Sequence, residues 1–193
     1  VSTIEIVGRD VAYAGWLSLS IVSIRMADGR TMRREVVEHG KATAVLAYDP
    51  DRRMAMLVRQ LRVPVYMTAG DEVLLEAIAG MLDDGTDAPT TARREAMEEA
   101  GLKLGELELV ANAWPSPGML TERLSLFLAP YRASDRVGTG GGLAEEYEQI
   151  EVVEMPLAEL AALVDRGEVY DMKTLVLVQT LRVRKPHLFE TTP

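Results

Sequence analysis

Between Thr91 and Leu102 the chain reads Thr-Ala-Arg-Arg-Glu-Ala-Met-Glu-Glu-Ala-Gly-Leu, and few folds accommodate such a segment. Pro89 suits a first helical turn and Gly101 suits the position just past a helix end, so a helix is expected after the Asp- and Gly-rich loop Asp83 to Asp87. Helical spacing then puts Glu95, Glu98 and Glu99 on one face, at i, i+3 and i+4. Ala92, Ala96, Ala100 and Met97 occupy the neighbouring face, where small side chains allow close approach to a sheet. The three carboxylates repel by roughly 0.2–0.5 kcal/mol for each adjacent exposed pair. Two readings remain open: a solvated acidic face partly neutralised by Arg93 and Arg94, or a site for a hard divalent cation that also binds phosphate oxygens.

Strand signals surround this helix. Val11 to Ala14, Trp16 to Ile24 and Arg30 to Val37 read as strands, the last two joined at an Asp28-Gly29 hairpin turn. Residues 1–40 are therefore expected to form a small N-terminal antiparallel β element, too small to stand alone, whose free face pairs with the main domain or with a second copy in a homodimer. Residues 41–193 are expected to form the main domain. In it Ala44 to Tyr48 and Met54 to Val58 make a hairpin around Asp49-Pro-Asp, and Val73 to Ile78 continues as one strand toward Gly80. Strands follow at Leu107 to Ala113, Leu124 to Ala129 and Ile150 to Val153. Helices follow at Leu157 to Val164 and Met172 to Val183. The order implies an α+β fold, an α/β/α sandwich with a mixed sheet between helices. The methionines, including Met54, Met56, Met67 and Met97, read as core packing.

Charge and composition narrow the chemistry. A formal net charge of −9 argues against a nucleic-acid surface and requires arginines or cations wherever a phosphorylated substrate binds. There is no cysteine and there are only two histidines, His39 and His187, so thiol, iron–sulfur and Ser/His/Asp chemistry lack raw material. His39 reads as a loop residue. No apolar run of membrane-spanning length and no leader-like N-terminus are present, so a cytoplasmic protein without a membrane partner is expected.

From Gly80 onward the chain reads Gly, five residues, Thr86, seven residues, then Arg94-Glu95-Ala96-Met97-Glu98-Glu99-Ala100-Gly101-Leu102. This resembles the box of the Nudix hydrolases at every fixed position except one, where Thr86 stands in place of the first Glu. The resemblance implies a strand, loop and helix in which Glu95, Glu99 and the Ala79 carbonyl hold Mg2+, or Mn2+ in its place, with Arg94 and Glu98 assisting catalysis. Asp87 or Asp84 is a candidate for the support that Thr86 does not obviously provide.

Resemblance to the branch of the family that hydrolyses GDP-mannose and ADP-ribose extends from about Trp16 to Leu181. It implies that Glu76, in Glu-Ala-Ile-Ala-Gly80, and Glu122, in Ser-Pro-Gly-Met-Leu-Thr-Glu, contact substrate. In Gly140 to Glu151 it implies that Glu148 is a further metal ligand and Glu146 the general base, on a glycine-preceded loop suited to closing over substrate. Trp16, Arg33, Arg34, Glu35, Arg62 and Lys173 match substrate contacts, although core packing explains a strand tryptophan equally well. The expected reaction is hydrolysis of a nucleotide-sugar diphosphate bond, with GDP-mannose the leading substrate and ADP-ribose the alternative. A noncatalytic nucleotide-binding module is the more distant reading.

Overall fold

The computed structural model describes residues 4–70, 73–143 and 149–190. They form two compact units, Val1–Lys41 with Ala113–Arg123, and Ala42–Asn112 with Leu124–Pro193.

In the first unit, β1 (Glu5–Ala14), β2 (Ser18–Arg25) and β3 (Thr31–Glu38) form an antiparallel sheet in that order. The turn between β2 and β3 falls at Asp28-Gly29, where Gly29 has φ +81° and Asp28 Oδ1 accepts the Arg30 N–H at 3.1 Å. β1 is longer than its apolar core of Val11 to Ala14 suggests, because pairing with β2 extends it to Glu5. It leaves Ile6, Val11 and Tyr13 more than half exposed. The loop around Met119 is stitched to the end of this sheet: Val37 N–H donates to Met119 O at 2.9 Å and Thr121 N–H to Val37 O at 3.0 Å.

The second unit is an α/β/α sandwich. Its sheet runs β10 (Glu151–Pro156), β5 (Met54–Leu61), β4 (Lys41–Asp49), β9 (Arg123–Pro130), β8 (Glu108–Ala113). Side chains alternate across a strand, so each central strand feeds two cores. Ala44, Leu46, Tyr48, Leu57, Leu126 and Leu128 meet α3 (Leu157–Asp165) and α4 (Met172–Arg184) on one face. Val45, Ala47, Met56, Val58, Phe127 and Ala129 meet Ala92, Ala96 and Ala100 of α2 (Ala88–Ala100) on the other. The alanine face of α2 thus lies against the sheet, as its spacing requires.

Two expectations are corrected, and two details are added. Val73 to Ile78 is not one strand: β6 (Val73–Glu76) pairs with β5, β7 (Ile78–Met81) pairs with β4, and the chain changes partner at Ala77. The expected β4–β5 hairpin is present, pairing Ala47–Asp49 with Met54–Met56, and beyond that each arm takes a further neighbour, β7 for β4 and β6 for β5. A short helix, α1 (Val63–Ala69), lies between β5 and β6 with none of its residues buried. Finally, Met56 is in the core, but Met67 is 79% and Met97 38% exposed. Met67 stands on that unburied helix, and Met97 points away from the alanine face.

Among the described residues no helix is long and apolar enough to cross a membrane.

Candidate active site

The site is assembled where β7 passes the acidic face of α2. Asp87 caps the helix by accepting the Thr90 N–H at 2.8 Å, Pro89 stands in the first turn, and Gly101 ends it in the left-handed region at φ +66°. Asp87 is therefore committed to the cap. Thr86 itself supports the loop and helix, through Asp83 O at 2.8 Å and the buried Thr91 hydroxyl at 3.2 Å.

Glu99 is 2% exposed, and its Oε2 accepts the Ala79 N–H at 3.2 Å. Glu95 lies one helical turn away, with its side chain 13% exposed, and so close over Gly80 that a Cβ there would stand 1.8 Å from Oε1. A glycine is thus needed on β7 for Glu95 to keep its place. The third acid differs. Arg94 holds Glu98 at 2.6 Å and Glu95 at 2.7 Å, with Asp83 at 3.4 Å. Arg93 points elsewhere, to Gly105 O and Pro89 O. The helix therefore presents two carboxylates to β7, not three equivalent ones.

Two carboxylates against one strand are hard oxygen donors of the type magnesium takes while keeping several waters, so the residues fit such a cation. Among the described residues no three acidic or histidine side chains gather as a complete ligand set. Glu146 and Glu148 lie outside the described residues.

The glycines before that acidic segment are strapped to α2. Gly141 N–H donates to Glu99 O at 2.9 Å, Gly142 N–H to Glu98 O at 3.1 Å, and Val137 and Gly138 N–H both donate to Gly101 O. These bonds satisfy carbonyls that a helix end leaves open. A Cβ on Gly140, at φ +68°, would stand 2.3 Å from Glu99 O. The strap therefore admits no side chain there, and Gly140→Ala is expected to cost at least about 1–2 kcal/mol from the left-handed backbone alone. That corresponds to a fall of roughly 2–8 °C in Tm, readable by calorimetry. An unchanged Tm would mean that the strap does not hold in solution.

Arg62, Glu76 and Lys173 come together. Glu76 is 2% exposed and accepts from Arg62 at 2.7 and 3.0 Å and from Lys173. Asp171, the N-cap of α4, pairs with Lys173 at 3.0 Å. Burial alone would raise the Glu76 carboxyl, but the hydrogen bonds from Arg62 and the charges of Lys173 and Arg62 outweigh it and hold the group below its ordinary value. A depressed carboxyl stabilises the fold above its unfolded pKa, about 4.3, and loses that contribution as pH falls through the folded value. The Tm gap between wild type and Glu76→Gln is therefore expected to be constant above about pH 5 and to narrow below about pH 4. A gap that stays constant down to pH 3 would show that the pairing contributes nothing.

The remaining expected contacts lie in the first unit. Trp16 is 82% exposed, which removes the core-packing reading, and its ring meets His39 edge-on at 4.0 Å between centroids. His39 lies in the loop after β3, as expected, with Nε2 buried and lacking a hydrogen-bond partner. Arg33, Arg34 and Glu35 are exposed on β3, and Glu122 is half-buried. Sequence reasoning did not single out Asp171 or Thr174, although an aspartate three residues before a threonine at the head of an apolar helix is a capping signal.

Residues 38–175 match the family model of the NUDIX domain. The chain is 41% identical over 161 residues to the GDP-mannose pyrophosphatase of Cronobacter sakazakii, covering 81% of this chain and 82% of that one. It is 37% identical over 188 residues to the GDP-mannose pyrophosphatase of Pectobacterium atrosepticum, covering 95% and 96%. A solved ADP compounds hydrolase superposes with a TM-score of 0.77 over 95% of both chains at 16% identity, a likeness of fold. A domain match over most of a chain whose Gly80 to Leu102 segment folds into the strand, loop and helix that its spacing calls for means that this protein belongs to the Nudix family.

Proposed function

We propose that this protein hydrolyses the diphosphate bond of GDP-mannose, giving GMP and mannose 1-phosphate with uptake of one water. The observation that carries this reading is 41% identity, over most of both chains, to a protein named GDP-mannose pyrophosphatase. Glu95, Glu99, the Ala79 carbonyl and Glu148 would hold Mg2+, with Mn2+ as a substitute. When bound, such a cation offsets the phosphate charge and stabilises the negative charge that builds at phosphorus.

The chain's own residues do the rest. Arg94 fixes Glu95 and Glu98 by direct ion pairs, so the acidic face is preorganised before substrate arrives. Glu98 assists, and Glu146 takes the proton of the attacking water. Arg62 is 42% exposed and reaches both buried Glu76 and solvent, which suits it to steady a phosphate. Glu76 and Lys173 complete that contact. Trp16 offers an open aromatic face for the base, and Arg33, Arg34, Glu35 and Glu122 bind the nucleotide. The half-exposed apolar residues of β1 support a homodimer, to be read by sedimentation. The net charge of −9 supports neither a nucleic-acid nor an anionic-membrane partner, and the absence of cysteine suits a cytoplasmic protein.

The test is product identification from GDP-mannose, ADP-ribose and other nucleotide sugars incubated with Mg2+ or Mn2+. The highest kcat/KM is expected on GDP-mannose, with GMP and mannose 1-phosphate released in equal amounts. A preference for ADP-ribose would replace the substrate, and no turnover of any member with either metal would mean a binding module.

A further inference from the structure

We infer that Thr174 is a positioning residue for the cation site, acting on Glu99 through the backbone from Ala77 to Ala79. The inference rests on the cation reading above and adds to it a residue from the far end of the chain.

Ala77 is where the chain leaves β5 for β4, and its N–H donates to Thr174 Oγ1 at 2.6 Å. Both groups are buried, Thr174 completely. The hydroxyl has one proton, and this goes to Asp171 Oδ2, so the lone pair that receives Ala77 is fixed in direction. Asp171 in turn is fixed by the Thr174 N–H at 3.0 Å and by Lys173 at 3.0 Å. The head of α4 is thus a rigid clasp on the strand break. Two residues later the Ala79 N–H holds Glu99 Oε2, and the next residue, Gly80, lies under Glu95. Between the clasp and the two carboxylates there are only three residues of strand, paired to β4 through Val45 and Ala44. A shift of Ala77 therefore reaches Glu99 and the Ala79 carbonyl with little slack.

The chemical consequence is specific. Removing the hydroxyl should weaken binding of a divalent cation to the substrate-free protein, beyond any change in stability, because the strand whose Ala79 N–H orients Glu99 loses its anchor at Ala77. Mn2+ alone is the probe, with free ion followed by electron paramagnetic resonance and Tm measured on the same samples. Thr174→Val, which keeps the shape and removes the acceptor, is expected to weaken Mn2+ binding by about 10-fold or more. Thr174→Ser, which keeps the hydroxyl, is expected to restore binding to within about 2-fold of wild type while sharing part of any loss in Tm from the missing methyl. If the valine variant does not fold, Thr174→Cys takes its place with the same expectation, since sulfur is a weak acceptor.

A variant that loses Tm yet binds Mn2+ as wild type does would overturn the inference and leave Thr174 a fold residue. Equal losses in the serine and valine variants would overturn it too. Wild-type protein that takes up no Mn2+ would instead overturn the proposed cation site itself, so the two failures are distinct.

Discussion

Glu99→Gln is expected to lower kcat on a nucleotide sugar by more than about 100-fold in a protein that remains folded. Losing a partner that merely supports a metal ligand costs 10–100-fold, so losing a ligand itself should exceed that range. The substitution is nearly isosteric, and the glutamine amide oxygen can still accept the Ala79 N–H now held by Glu99 at 3.2 Å. What disappears is a buried negative charge on the same helical face as Glu95. Without a cation the change removes both the repulsion from Glu95 and the attraction to the Arg62 guanidinium, so the cation-free Tm of each protein serves as its own reference. With saturating Mg2+ the wild-type Tm should rise, by the mass action of a ligand that binds only the native state, and the variant Tm should not. The paired measurement is kcat and the Mg2+-dependent Tm shift. A variant that keeps turnover within a few-fold, or keeps the Tm shift, would remove Glu99 from the cation site.

Local periodicity made much of this fold legible. The continuous apolar run at Ala44 to Tyr48 reads as a strand buried on both faces, and its even and odd residues do enter different cores. The break at Ala77 was not legible, because Val73 to Ile78 is uniformly apolar around Glu76 and its partner change is dictated by strands distant in sequence. Nor was α1, whose Val63, Val65 and Tyr66 favour strands and whose exposed surface leaves no amphipathic signature. In the site, the helix expected from the box spacing carries Glu95 and Glu99 against β7. Arg94 has Glu98 one turn on, at i+4, and takes it, whereas Arg93 has Ala96 and Met97 at i+3 and i+4; that Arg93 turns to Gly105 depends on a loop beyond the helix and was not legible. The glycine run reads as the lead-in to a loop that closes over substrate; that part of it is also hydrogen-bonded to the end of α2 was not legible, because the accepting carbonyls lie some forty residues earlier.

The charges explain why an acidic chain can still be a phosphate enzyme. In the second unit Arg94 is engaged by Glu95, Glu98 and Asp83, and Arg62 and Lys173 converge on Glu76. Cationic side chains at the site are thus already offset by carboxylates and cannot by themselves reverse a net charge of −9. A diphosphate would meet an excess of negative charge unless cations accompany it. The ion pairs on this reading orient the acids, and the bound cation supplies the attraction.

Gly80→Ala is expected to separate site geometry from stability. The added Cβ would lie 1.8 Å from Glu95 Oε1 and 2.1 Å from its Cδ, far inside any non-bonded contact. The obstructing atoms are the end of a flexible side chain, so Glu95 can swing away without moving the backbone of α2 or of β7. Alanine also restricts the unfolded chain, a gain of roughly 0.4–1 kcal/mol where the native backbone suits it, and Gly80 lacks the left-handed φ that would forbid it. The ion pair from Arg94 to Glu95 is partly exposed, and its loss costs at most about 1 kcal/mol. These effects nearly cancel, and Tm is expected to move by no more than about 4 °C in either direction. Activity should nevertheless fall by about 100-fold or more, since one of the two carboxylates facing β7 has been displaced. Gly140→Ala shows the opposite pattern, because there the obstruction is the backbone of Glu99 and the fold itself must yield. Full activity in Gly80→Ala at unchanged Mg2+ requirement would show that Glu95 does not act from its place over β7, and the two-carboxylate site would have to be redrawn around Glu99 alone.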